Sequence, residues 1–494
     1  MTQISVPTNV PVQAEAAEPA EVAEPIGATE PGVAVEVVHA VEAPRPGYLD
    51  GFSDAWRAVL NQPIGLRAEL DRMRATAPFY DATVNEIAGR RVRIRDHWLT
   101  DFASCNYLGL DLDREVIAAV GPYLDRWGTH PSWSRMIASP EPYADIEMTL
   151  AALLGTQDAL LLPTITHIQL SVLPALVARG SLFVEVHAHQ TAHDGAVMTA
   201  ARGGTVARFR EDRLDRLERR LRRAPFPRLI CVDGIHSMTG NAPPLADLIA
   251  LAGRHDALVY IDDAHGFGVV GERAANETSP YGSRGNGIVR HLGQAYDNVI
   301  LVGGFSKAYS SLLAFVACPT PVKDYLKSAA GSYIFSGPSP VASLATGLVG
   351  LQINERRGDE LRARLYTLTR RLLDGIHGLG LATLNTSGFP IIEIPLRDPD
   401  HAAELGDFLY ARGVLAGVVP FPIVPREKVG MRVQVTAANT EAEIDDLLAV
   451  LADAHARYPL ALADTEAAAG DGAARNVGAV QNVGAVQNVG AEGA

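Results

Sequence analysis

Four apolar runs of strand length, at residues 229–232, 258–261, 299–302 and 312–317, constrain this chain more than any other feature. They are short and rich in Leu, Ile and Val, and helical patterns separate several of them. A strand buried on both faces reads as such a run, whereas a strand with one wet face alternates. Strands parted by crossover helices predict a mostly parallel α/β sheet with helices on both faces. The stretch 211–223 supplies one such helix, with Leu214, Leu217 and Leu221 on one face. Arg213, Arg216, Arg219, Arg220, Arg222 and Arg223 occupy the other face, which reads as solvated rather than as a nucleic-acid patch. A net charge of −14 also argues against nucleic-acid binding.

The rest of the chain divides around that sheet. Residues 1–45 hold no Phe, Trp or Tyr, and are rich in Ala, Glu, Pro and Val, which predicts a disordered acidic tail. Residues 461–494 repeat RNVGAV, QNVGAV and QNVGA, a low-complexity pattern that predicts a second flexible tail. Between them we expect an N-terminal arm at 46–100, a large domain at 101–345 and a smaller α+β domain at 346–460. The small domain opens with a long helical pattern at 343–373, followed by strand-like segments at 389–395 and near Met431. The N-terminus lacks a basic segment followed by an apolar one, and no run of 18 apolar residues occurs, so neither a secretory signal nor a membrane span is expected. Cys105, Cys231 and Cys318 are widely spaced, which predicts reduced cytoplasmic thiols and no metal site.

Two of the apolar runs end in chemistry. One closes on Asp262, Asp263, Ala264 and His265, and the next on Gly304, Phe305, Ser306 and Lys307. Functional groups of a parallel sheet gather at the carboxyl ends of its strands, so an Asp, a His and a Lys reach one rim. That trio suits pyridoxal 5'-phosphate: the Lys amine forms a Schiff base, the carboxylate pairs with the pyridine nitrogen, and the His meets the ring hydroxyl. Burial after an apolar strand lowers the ammonium's preference for charge, which a Schiff-base Lys needs. Asp262 or Asp263 is alternatively a helix cap after the strand.

Four strings in order, DFASCNYLGL (101–110), DGIHSMTGNAPPL (233–245), IDDAHGFGVVG (261–271) and GGFSKA (303–308), resemble the α-oxoamine synthases, and the likeness spans about residues 60–455. These are fold-type I enzymes, built on a mostly parallel seven-stranded large domain and a smaller C-terminal domain. They join a small α-amino acid to an acyl thioester, usually losing the amino acid's carboxyl carbon as CO2. The resemblance makes Lys307 the Schiff-base lysine, Asp262 the pyridinium partner and His265 the ring-hydroxyl contact. In VHAHQTAHDG (186–195) it aligns His189 with the imidazole that stacks on the ring, with His187 and His193 as rivals. Ser237 falls near the ring. Ser336 corresponds to a hydroxyl that reaches the cofactor phosphate from a neighbouring subunit, which implies a homodimer with a shared site. Arg432 aligns with the arginine that clamps the substrate carboxylate, and Asn106 with a substrate-contacting asparagine. The thioester partner is acyl-coenzyme A or an acyl-carrier protein.

Several positions depart from that pattern. WGTHPSWSR (127–135) puts His130 and Trp133 where small residues are expected. The Ser-Gly-x-x-Ala-Asn phosphate turn has become Thr164 to Gln169, leaving Thr164, Thr166 and a helix N-terminus for the phosphate. Gly304 replaces a threonine, Ser310, Leu313 and Ala314 stand where glycines follow the lysine, Asn439 stands for a histidine, and an insert occupies 276–287. Cofactor chemistry is therefore expected to persist, with phosphate and acyl-donor contacts rebuilt. The same fold also supports aminotransfer, aldol cleavage and simple decarboxylation, or a non-catalytic partner subunit.

Overall fold

The computed structural model describes residues 51–60, 74, 78–274, 279–419 and 424–463. The expected tail at 1–45, positions 464–494 of the tail expected at 461–494, and positions 276–278 of the insert lie outside the described residues, while Leu462 at the start of the second tail pairs with Leu381 in an isolated bridge.

Three strands come first: β1 (Val84–Ala88), β2 (Arg91–Ile94) and β3 (His97–Asp101). The large sheet uses β4 (Asp158–Leu162), β5 (Ser181–Glu185), β6 (Thr205–Phe209), β7 (Arg228–Asp233), β8 (Leu258–Asp262), β9 (Val299–Gly304) and β10 (Ala314–Cys318). The last strands are β11 (Ile391–Pro395), β12 (Val414–Leu415), β13 (Gly417–Val419) and β14 (Gly430–Gln434). The seven-stranded sheet runs β4-β10-β9-β8-β7-β5-β6. Its pairings are parallel except where β10 runs antiparallel to both β4 and β9. The small sheet, β11-β14-β13, is antiparallel, and β12 pairs instead with β3.

The apolar runs explain the sheet. Along β8, Val259 and Ile261 join one apolar cluster while Tyr260 joins the other, and β9 and β7 divide the same way. Successive side chains point to opposite faces, so each run serves two cores at once. Fully burying such a side chain contributes roughly 1.5–3 kcal/mol. The 211–223 pattern forms a helix at Leu214–Leu221 with Leu217 and Leu221 buried. Its arginines pair in sequence, Arg219 with Asp215 and Arg222 with Glu218, as a solvated face does. The long helix expected at 343–373 runs Val341–Gly378 and packs against both the Arg114–Trp127 and the Glu441–Arg457 helices.

Candidate active site at the carboxyl rim of the sheet

β7, β8 and β9 all end at the same rim, and the cleft there, about 290 Å³, is lined by Asp233, Asp262, His265 and Lys307 together with His189, Ser237, Ser306, Leu312 and residues 164–166. Lys307 lies on the connection from β9 to the reversed β10. That loop is closed by Phe305 N–H donating to the Leu313 carbonyl (2.8 Å), and Ser311 N–H to that of Phe305 (3.0 Å). Ser310, standing where glycine is expected, takes φ +52°, so the left-handed turn is kept and a side chain is carried there at some cost.

Asp262 is 5 % exposed and accepts at both oxygens, from Gln169 Nε2 (2.8 Å) and from the Ala264 N–H (3.1 Å). It makes no ion pair with a described residue, so a buried carboxylate stands at the rim with no cation of its own. A protonated ring nitrogen would supply that missing charge. No helix follows β8 directly, so the capping alternative for Asp262 reduces to the single turn bond to Ala264. Asp263 turns away and accepts from the Ile288 N–H (2.9 Å).

His265 is buried, and its Nδ1 meets the Tyr107 hydroxyl at 2.8 Å. Burial first, then the charges of Lys307, Arg432 and His189, hold its pKa well below the ordinary value, while burial keeps the Tyr107 phenol protonated. We assign the hydroxyl as donor to Nδ1, which leaves Nε2–H as the donor of a neutral imidazole. His189 caps the Gln190–Ala201 helix: its Nδ1 accepts from the Thr191 N–H (3.3 Å) and meets the Thr191 hydroxyl (2.8 Å). Its own N–H donates to Asp233 Oδ1 (3.1 Å). Burial lowers its pKa, so this ring too stays neutral. Its rivals are placed elsewhere, His187 beside Glu185 and His236, and His193 outside the cleft lining.

The altered phosphate turn still opens a helix on the cleft. Thr164 caps the Ile165–Val177 helix, its Oγ1 accepting from the His167 N–H (3.2 Å), and Thr164, Ile165 and Thr166 line the cavity. Two departures prove to be one exchange: a Cβ on Gly304 would lie 2.7 Å from Ile165 Cδ1, so the isoleucine occupies the space that a larger residue at 304 would need. The residues present therefore fit pyridoxal phosphate: a carboxylate without a cation, two neutral imidazoles, a lysine, and a helix N-terminus for the phosphate.

Ser237 lines the cleft; Arg432, Asn106 and Ser336 do not. Arg432 sits on β14, close enough for its charge to act on His265 and Tyr107. With the Gln434 amide turned so that its NH2 meets the carbonyls of Phe102 (2.8 Å) and Ala103 (3.0 Å), its oxygen accepts from Arg432 Nη2 (3.0 Å) and Nε (3.2 Å). Asn106 precedes Tyr107 on the same segment, and its carbonyl accepts from the Gly109 N–H (2.8 Å). Ser336 lies on a surface loop, its hydroxyl donating to the Gly337 carbonyl (3.0 Å). Sequence reasoning assigned no role to Asp233, Gln169 or Tyr107. Asp233 ends an apolar strand just as Asp262 does, and that signal was available. Gln169 is buried in mid-helix, where nothing local marks it.

The aminotransferase class I and II family matches residues 145–451. An 8-amino-7-oxononanoate synthase of Pseudomonas paraeruginosa is 34% identical over 379 residues, 76% of this chain and 90% of that protein. A serine palmitoyltransferase from S. paucimobilis, solved with PLP joined to myriocin, superposes with a TM-score of 0.71 at 25% identity, covering 79% of this chain and 97% of that one. The 8-amino-7-oxononanoate synthase of Francisella tularensis, 20% identical with a TM-score of 0.60 over 72% of this chain and 97% of its own, shares the fold.

Proposed function

The chain belongs to the aminotransferase class I and II family, and from that premise we propose that it condenses a small α-amino acid with an acyl thioester, releasing CO2 and an α-aminoketone. The observation that carries this reading is the rim itself, where Asp262, His189, His265 and Lys307 line one cleft. Pyridoxal 5'-phosphate supplies a sink for the electron pair left when a bond to the α-carbon breaks. Lys307 holds the cofactor between turnovers, and its freed amine takes the proton from the substrate α-carbon. Asp262 keeps the ring nitrogen protonated, restrained by Gln169 and the Ala264 N–H. His265 would offer its Nε2–H to the ring oxygen, and His189 would offer a neutral ring held in place by its helix cap. Arg432 grips the amino-acid carboxylate with its planar fork, beside Asn106. The α-carbon attacks the thioester carbonyl, the thiol departs, the former carboxyl carbon leaves as CO2, and a proton returns to the α-carbon.

The reading extends to a homodimer in which Ser336 serves the partner's phosphate site. Trp133, Met136, Ile137 and Phe335 are 45 %, 61 %, 74 % and 86 % exposed. Ser134 Oγ donating to the Ile334 carbonyl (2.7 Å), and His130 Nε2 meeting that of Pro338 (2.8 Å), tie their two loops into one surface around Ser336. Exposed apolar side chains grouped in this way support an interface there. We place the protein in the cytoplasm, where its three unpaired cysteines stay reduced.

Release of labelled CO2 from carboxyl-labelled glycine, L-alanine and L-serine, with and without acyl-coenzyme A and acyl-carrier-protein thioesters, tests the reading. Release that requires a thioester supports it and names the amino acid and the carrier. Release without thioester makes the protein a decarboxylase and overturns it.

A further inference from the structure

Glu393 is the one buried carboxylate of the small sheet that faces the substrate arginine. It stands on β11 directly opposite Arg432 of β14, and residues paired in an antiparallel ladder share a face. Gly417 of β13 lies on the other flank of Arg432 and brings no side chain. Glu393 is 0 % exposed, and neither carboxylate oxygen has a hydrogen-bond partner among the described residues. Arg432 directs one donor from each nitrogen at the Gln434 amide oxygen rather than at Glu393, and keeps its other two N–H groups free of that contact. An ionised carboxylate sealed from water and left without donors is costly, so such a group is poised to take up a proton. The Arg432 charge acts on His265 and Tyr107, which ties the face it shares with Glu393 to the site, and the loop after Ser237 abuts the edge of the same strand, where a Cβ on Gly240 would meet the Ile391 carbonyl.

We propose that Glu393 takes up a proton when an amino-acid carboxylate binds Arg432, so that it sets the pH range over which the carboxylate is gripped. This rests on the reading of Arg432 as the carboxylate clamp. With the site empty, an ionised Glu393 balances the guanidinium. A substrate carboxylate brings a second negative charge to the same cation, and like charges sharing a site cannot both stay ionised cheaply. The substrate carboxylate has the guanidinium fork for its oxygens, whereas Glu393 has no donor, so Glu393 is the one that protonates. Beside burial, the charged groups that act on it are Lys428 from the turn before β14 and then Arg432 from β14, and both lower its pKa. Burial outweighs them and raises it from the ordinary carboxyl value to about 7. The linkage therefore has a sign: below pH 6 the group is already protonated and binding costs nothing extra, and above pH 8 each bound carboxylate must draw a proton from solvent.

The test is calorimetric titration of the holoenzyme with L-serine and with ethanolamine, which has the same amine and hydroxyl but no carboxylate, from pH 6 to 9 in buffers of differing ionisation enthalpy. At pH 8, L-serine is expected to take up about one more proton than ethanolamine. Its affinity, relative to ethanolamine, falls up to about tenfold per pH unit above 7. In Glu393→Gln both differences vanish and L-serine affinity stays at its low-pH level. Equal proton uptake for the two ligands in the wild-type protein overturns the inference without any variant, as does an unchanged pH profile in Glu393→Gln. If Arg432→Leu leaves the preference for L-serine over ethanolamine intact, the clamp itself is misassigned. Loss of that preference in Arg432→Leu with an unchanged Glu393→Gln profile defeats the Glu393 inference alone.

Discussion

The rim of the large sheet and the strands of the small sheet both bury ionisable side chains, yet they are finished differently. At the rim, each oxygen of Asp262 accepts a hydrogen bond, His265 is held by Tyr107, and His189 is locked by its own helix cap. On the small sheet, Glu393 is as deeply buried as any of these and has no partner at either oxygen among the described residues. A satisfied group keeps one protonation state and one geometry, which suits a cofactor that stays. An unsatisfied one changes state with its surroundings, which suits a substrate that comes and goes.

The sharpest break in that contrast would come from Lys307. Replacing it with Ala removes the residue that both holds the cofactor and moves the α-proton, and labelled-CO2 release is expected to fall by about 10⁴-fold. Turnover that survived the change would remove the rim as the catalytic region. Asp262→Asn is the next largest effect. The amide keeps the shape but cannot hold a positive ring nitrogen, so kcat is expected to drop roughly 10²–10³-fold with little change in the amino-acid KM. A change confined to KM would instead place Asp262 on the substrate side of the comparison. Gln169→Leu, which removes one donor from Asp262, should lower kcat by about tenfold and no more.

The small sheet answers to pH rather than to turnover. Because the folded Glu393 pKa is raised, the native state holds a proton that the unfolded chain releases between the ordinary carboxyl value of 4.5 and about 7. Stability linked to this group is therefore fully present below pH 4.5 and is lost as pH rises through 7. The loss amounts to about 3 kcal/mol by pH 8. Urea unfolding of wild type against Glu393→Gln at pH 5 and pH 8 should show the variant gaining by about 2.5 kcal/mol at the higher pH. Equal curves at both pH values would mean that Glu393 is partnered after all, and the contrast with the rim would disappear.

How much of this was legible in the sequence follows the same division. The strands carrying Asp262 and Lys307 announce themselves because a strand buried on both faces must be apolar throughout, and its polar end residue stands out against it. The long helix expected at 343–373 runs Val341–Gly378, and the strand expected at 389–395 begins at Ile391, since boundaries depend on local capping rather than on the apolar pattern. The reversed direction of β10 was not legible: the run at 312–317 reads the same in either sense, and only the short, closed loop around Lys307 forbids a crossover. Glu393 was invisible for another reason. In IIEIP it looks like the polar position of an ordinary alternating strand, and only the pairing with β14 shows that it faces Arg432 rather than water.

The smallest effect tests whether the rim is as fixed in shape as its hydrogen bonds suggest. Gly304 and Ile165 come from segments 139 positions apart in sequence, and each looks like a loss when read alone: a missing side chain before the lysine, and a missing glycine in the phosphate turn. Together they fill one volume, with the place of a Gly304 Cβ 2.7 Å from Ile165 Cδ1. Since Ile165 also lines the cleft, a larger residue at 304 is expected to displace it and so disturb the cleft lining. Gly304→Thr is expected to weaken pyridoxal phosphate binding about tenfold, the cost of roughly 1–3 kcal/mol typical of an overfilled site. Ile165→Gly added to it should restore most of the loss, because the pair shares a single space and its effects do not add. Cofactor affinity measured by absorbance across the two single variants and the double one gives the coupling directly. Additive losses would mean that the rim adjusts around each change separately, and that its departures from the family pattern were acquired one at a time rather than as a matched pair.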